Sequence, residues 1–258
     1  HHHLPPLLKE SGNVPIELHW TIVYPNAPFK IDLNSIWEQS EENSIEGSSV
    51  HVLSASDLLL MFAIHCAYHD RFVYGLRTLF DIDAIIKFYG TGLIWEDLIA
   101  RAKSWKADRC LFMVLSLAKK HLGVKVPEAV LEQLEPENIS QEFYATAEER
   151  IFARELNYSY LPPQLARLWS NDSYNKRVVS FWHQAFPSPG SSEPFYRRLF
   201  VYYPHRTRDL ISRYGDSAWK LIKGDSEKRK QAEWENRGNI LVDWLGNSDG
   251  STSKGFEN

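Results

Sequence analysis

Two pairs of side chains in this sequence have types and spacings suited to chemistry. The first is Glu17-x-His19, in the run Val14-Pro15-Ile16-Glu17-Leu18-His19-Trp20-Thr21-Ile22-Val23. Alternate residues of a strand share a face, so a strand here projects Glu17, His19 and Thr21 together and sends Leu18, Trp20 and Ile22 into a core. A carboxylate beside an imidazole on a rigid strand can hold a divalent metal or orient a proton. Clustered carboxylates are the usual cradle for Mg2+ in phosphoryl transfer, and this run supplies one. The plain alternative is a solvent-facing Glu beside a surface His.

The second pair is His65 and His69, four apart and so on one face of a helix. That spacing can bind Zn2+, but the Glu that follows the first His in the metalloprotease signature is replaced by Cys66, which points ~100° away. Hydrogen bonding of His65 inside the domain, with His69 capping or pairing near the helix end, is the structural alternative. A middle reading joins His65, His69, Arg77 and Asp81 in a buried polar network beside a cleft, with Arg77 and Asp81 paired one turn apart. Asp81-Ile82-Asp83 has the spacing of a metal-binding carboxylate pair. Its surroundings, Leu76, Leu79, Phe80, Ile82, Ile85 and Ile86, follow helical periodicity, and on a helix the two carboxylates diverge by ~200°. Later, Tyr196-Arg197-Arg198 and Tyr202-Tyr203-Pro204-His205-Arg206-Thr207-Arg208 interleave rings with cations. They suit an anionic ligand or a helix packing its rings inward.

The elements that must position these residues divide the chain into a strand-rich start and a helical remainder. Residues 1–53 read as strands and turns: Leu4 to Leu8 faces the Glu17 run across Glu10-Ser11-Gly12-Asn13 in a hairpin. Ile31 to Gln39 is a short helix, and Val50 to Leu53 a short strand. Residues 54–134 read as five helices. The first is capped by Ser54 or Ser56 and runs to about Asp70, with Leu58, Met61, Phe62 and His65 inward; the others span Tyr74–Phe88, Trp95–Trp105, Ala107–Leu122 and Pro127–Leu134. Residues 135–246 are helical but less regular: Gln141 to Tyr158 is a helix, 186–192 a linker, and 225–230 a solvated charged run. Residues 247–258 read as a disordered tail. The fold class is α+β, predominantly helical.

Composition narrows the function classes. The 258 residues include nine Trp, twelve Tyr and thirteen Phe, ample surface for a core. Twenty-nine Lys and Arg against thirty-three Asp and Glu give a net charge of −4, which disfavours a nucleic acid partner. Two cysteines, Cys66 and Cys110, lie in apolar helical patterns and read as buried thiols of a cytoplasmic protein. No apolar run is long enough to span a membrane. Glycine-rich phosphate loops, nucleophile elbows and paired-cysteine zinc motifs are absent from the sequence.

Several motifs occur together in a telling order. They are His2-His3-Leu4-Pro5-Pro6-Leu7, then Val14 to Trp20, then Leu53-Ser54-Ala55-Ser56-Asp57-Leu58-Leu59-Leu60 with His65 and His69, then Leu76-Arg77-Thr78-Leu79-Phe80-Asp81-Ile82-Asp83. Over about residues 1–135 this order resembles a bacterial family of uncharacterised nucleotidyltransferases, in the DNA polymerase β-like superfamily. The resemblance implies that His1–His3 are native and that the N-terminal hairpin is a remnant of the nucleotidyltransferase sheet. It implies that Glu17 is the third metal-binding carboxylate and that His19 contacts either the metal's ligands or the substrate. The Gly-Ser and Asp-x-Asp motifs would then lie upstream of His1. The implied reaction is Mg2+-dependent transfer of a nucleotidyl group from an NTP to an acceptor such as a glycan or peptide, with this chain inactive in isolation. A non-catalytic helical binding module and a His-based metal-binding protein are the alternatives.

Overall fold

The computed structural model describes residues 4–8, 15–137, 139–153, 208, 212, 215, 219, 220 and 223–247. The chain divides into two compact units, one made of His1–Ala153 with Leu241–Asn258 and the other of Arg154–Ile240. The first unit holds the residues of interest.

It opens with two small antiparallel hairpins. In the first, β1 (Leu7–Leu8) pairs with β2 (Pro15–Ile16), Leu7 opposite Ile16. The Leu4 N–H donates to the Leu18 carbonyl at 2.9 Å, extending the pairing beyond the ladder. The second hairpin, β3 (Glu41–Ile45) with β4 (Ser48–Val52), turns at Glu46-Gly47, both at positive φ. That is the backbone a two-residue hairpin loop needs to match strand twist. Between the hairpins lies α1 (Leu33–Glu38), where Asp32 caps by accepting from the Asn34 and Ser35 N–H groups.

Helices follow in close order: α2 (Ala55–Ile64), α3 (Leu76–Tyr89), α4 (Trp95–Ser104), α5 (Asp108–Leu122), α6 (Glu128–Leu134) and α7 (Gln141–Ile151). Ser54 caps α2 by accepting from the Asp57 N–H, and Gly123 ends α5 at φ +67, a left-handed cap that favours glycine. The core is built around α5, whose Leu111, Met113, Val114, Leu115 and Leu117 are fully buried, and against which α2, α3, α4 and α6 pack. A last helix, α8 (Ser226–Leu245), ends in the first unit. There Leu241 and Leu245 are buried, and the Trp244 ring stacks on Phe143 at 4.6 Å. The fold is α+β and mostly helical.

Two expectations need correction. The strand expected over 14–23 ends at Ile16, and Leu18 and Trp20 are about half exposed rather than packed inward. Alternation alone cannot bury a face. Burial needs a layer to cover it, and the described sheet here has only two short strands. On α2 the fully buried residues are Leu59, Leu60, Ala63 and Ile64, whereas Leu58, Met61, Phe62 and His65 are only partly covered. The face read as core faces a cavity instead. The helix expected from Gln141 to Tyr158 is described to Ile151. It ends there, with Phe152 as its C-cap, short of the expected Tyr158; residues 154–158, the 186–192 linker and nearly all of the tail lie outside the described residues.

Candidate functional site

Past Ile64 the helical ladder widens. Residues His65–His69 form a single π turn, closed by the Asp70 N–H donating to the His65 carbonyl at 2.7 Å. Such turns concentrate at functional sites, because the widened ring re-aims side chains. Arg71 and Phe72 then follow with φ of 52° and 61°, left-handed backbone that is uncommon for such residues. Two features hold this turn. Phe72 is buried, and the Arg150 side chain on α7, also buried, donates from Nε to the Arg71 carbonyl at 2.8 Å. Gly75 starts α3 at φ +66, where an added Cβ would lie 3.2 Å from the Ile151 carbonyl oxygen. Positive φ and close approach together call for glycine.

The turn encloses a cavity of about 280 Å³ lined by Met61, Phe62, His65, Asp70, Tyr74, Arg77, Thr78 and Asp81. His65, Arg77 and Asp81 of the expected polar cluster therefore meet here. Burial pushes the Asp70 carboxyl above its ordinary value, against the opposing pull of His65. Beneath the cavity, burial pushes the Cys66 thiol up to about 12; the charges of Asp70 and Asp81 add to this, and a Thr78 hydrogen bond opposes it.

His69 is not among the lining residues. Its ring stacks on His65 at 4.8 Å and on Tyr24 at 5.0 Å. The two histidine planes lie 21° apart, so they are near parallel rather than converging on a shared metal, and His65 Nε2 is 3.0 Å from the Ile22 carbonyl oxygen. That hydrogen bond ties the π turn to the segment three residues beyond His19. The network expected of Arg77 and Asp81 is different in form. Arg77 is exposed, and the two side chains form no ion pair. Arg preceding Asp at this spacing is the less favourable order for a helix pair, and exposed pairs gain little. Asp83, by contrast, pairs with Lys87 at 2.5 Å, and both Asp81 and Asp83 lie on α3, not on a strand.

Glu17 and His19 do come together: His19 Nε2 lies 3.4 Å from Glu17 Oε2, with the two side chains 35% and 46% exposed respectively. Mg2+ asks for near-octahedral oxygen donors. One exposed carboxylate beside an imidazole does not supply them, and among the described residues no group of three or more His, Cys, Asp or Glu could hold a metal ion. The described residues by themselves thus do not fit a Mg2+ centre. Asp70, Tyr74 and Thr78 belong to the cavity but carried no signal of their own in sequence. The ring-and-cation cluster at 196–208 lies outside the described residues except for Arg208, which is exposed.

Residues 1–123, which include the Glu17–His19 pair and the whole cavity, match the model of a family described as uncharacterised nucleotidyltransferase. The chain is similar to that family over these residues, just under half of its length. Within the matched segment, the hairpin followed by Glu17 precedes α2 and α3, in the order the motifs suggested. No curated protein and no solved structure matches the chain. Among the described residues, no helix is long and apolar enough to cross a membrane.

Proposed function

We propose that the protein takes part in transfer of a nucleotidyl group from an NTP to an acceptor hydroxyl. The similarity of residues 1–123 to the nucleotidyltransferase family model is the observation that supports this reading. In such a step the acceptor oxygen bonds to the α-phosphorus, the bond from that phosphorus to the β-bridging oxygen breaks, and pyrophosphate leaves. The hydroxyl proton needs a base. Glu17 is the residue assigned to take it, with His19 orienting the carboxylate from 3.4 Å. The cavity of His65, Asp70, Arg77 and Asp81 holds the acceptor, and His65 joins it to the Glu17 segment through the Ile22 carbonyl. Magnesium and NTP remain the proposed cofactor and substrate. Oxygen donors beyond Glu17 would come from outside the described residues.

The test uses the protein purified at the length its host makes it, with α-labelled NTPs, Mg2+ and host small-molecule extract. Label should move to an extract component, and Glu17→Gln in the gene should lower the rate by about 10²–10⁴-fold. Absence of transfer from all four NTPs would sink the reading. A second reading is favoured by the incomplete metal donor set: a helical module that binds the acceptor without catalysing its modification. It requires that Glu17→Gln leave label transfer in the host unchanged while Arg77→Gln lowers it.

A further inference from the structure

Three charged side chains reach one cavity, and none forms an ion pair among the described residues: Asp70, Arg77 and Asp81. Arg77 and Asp81 are one helical turn apart, and Asp70 lies on the opposite side of the left-handed turn in sequence. Both carboxylates line the cavity, and the charge of each also raises the neighbouring Cys66 thiol. The cavity thus presents one cationic and two acidic side chains that form no ion pair with one another, with His65 beside them pulling on the Asp70 carboxyl. Its backbone frame is stiff, set by the π turn, the Arg150 hydrogen bond to Arg71 and the close packing at Gly75. Unpaired charges carried on such a frame suit a ligand that carries both charges.

Size limits the choice. A volume of about 280 Å³ is close to nine water volumes at ~30 Å³ each. Pockets for drug-sized ligands begin at about 300 Å³, so the volume is matched by a molecule of about ten non-hydrogen atoms. Met61 and Phe62 give the cavity an apolar wall, which a short side chain can cover. We propose that this pocket binds a small zwitterion of the α-amino-acid kind, with its carboxylate on Arg77 and its ammonium against Asp70 and Asp81. The guanidinium fork matches a carboxylate in plane and can bind it with two hydrogen bonds. An ammonium beside Asp70 also compensates the burial of that carboxylate. This rests on the reading of the cavity as the acceptor's site, and it names the acceptor's class as an α-amino acid whose side chain carries the hydroxyl that reacts.

The experiment screens the common free L-amino acids one at a time by ligand-observed NMR against the whole chain, with no nucleotide and no metal. At least one should bind, and its decarboxylated amine and its deaminated acid should each bind at least about tenfold more weakly. Arg77→Gln should erase the preference over the amine, and Asp81→Asn the preference over the acid. Both positions are solvent-accessible on α3, and a circular dichroism melt checks that each variant is folded. Binding by no amino acid, or equal binding of the amine, overturns the proposal. The assay contains no NTP, so label transfer without zwitterion binding overturns this inference alone. Zwitterion binding without label transfer supports it and overturns only the transferase reading.

Discussion

Glu17 is a wet carboxylate, and its consequence for mutagenesis is direct. Its side chain is 46% exposed and supports no packing, so Glu17→Gln should change unfolding free energy by no more than about 0.5 kcal/mol while removing the proposed base. Urea unfolding monitored by tryptophan fluorescence checks the stability side; a large loss there would mean that the hairpin, not the chemistry, depends on Glu17. The two thiols behave oppositely. Cys66 and Cys110 are buried, and burial pushes Cys66 up to about 12 and Cys110 upward as well. Since the thiolate is the reactive form, neither should react with Ellman's reagent at pH 8 in the native protein. Both should react promptly in denaturant, and a fast native phase would show that the α2–α5 contact opens.

At the scale of elements, two ion pairs differ in what they do. Asp57 on α2 and Arg101 on α4 lie 2.8 Å apart, with side chains 0% and 9% exposed, and Arg101 Nη2 also reaches Ser35 at 3.3 Å. Removing one partner strands a buried charge, so Asp57→Ala should cost about 3–5 kcal/mol in chemical denaturation, more than the loss of the Ser54–Asp57 cap alone. The second pair joins α5 to α7. Burial pushes the Glu148 carboxyl up, but hydrogen bonds and charge from Lys120 and His121 outweigh this and hold it below its ordinary value. A depressed carboxyl stabilises the fold above its unfolded pKa, and that contribution is lost as pH falls through the lower folded value. Wild type should therefore exceed Glu148→Gln in stability at pH 7 by up to about 1 kcal/mol. The gap should close as pH falls through the depressed folded value of Glu148, and a gap that persists once the carboxyl is protonated would assign the effect to packing.

The sequence made α2 to α6 legible because their ends carry local chemistry: Ser54 as a cap, Gly123 as a left-handed stop, Pro127 ahead of α6. It also placed His65, Arg77 and Asp81 near one another. The cavity itself was not legible. Its shape depends on left-handed Arg71 and Phe72, residue types with no preference for that backbone, held by Arg150 some eighty positions later. The strand beyond Ile16 was overread for the converse reason, since its alternation is real but no further strand is described to use it.

For the whole molecule, the most consequential contact is made by α8's last turn. Trp244 stacks on Phe143, and Arg109 lies over the Trp244 ring at 5.0 Å and donates to the Trp244 carbonyl at 2.8 Å. Trp244→Ala should destabilise the unit by about 3–5 kcal/mol, read as a shift of the urea midpoint. A shift below about 1 kcal/mol would show that Leu241–Leu245 is a passenger. If the seam matters as described, synthesis has a schedule. A ribosome delivers residues 1–153 first, then must thread residues 154–240 into the cell before the segment that completes the unit appears. For all that interval Phe143 lacks its Trp244 partner, and at about 5–20 residues per second the wait lasts several seconds. A nascent chain in that state is a natural client for a chaperone.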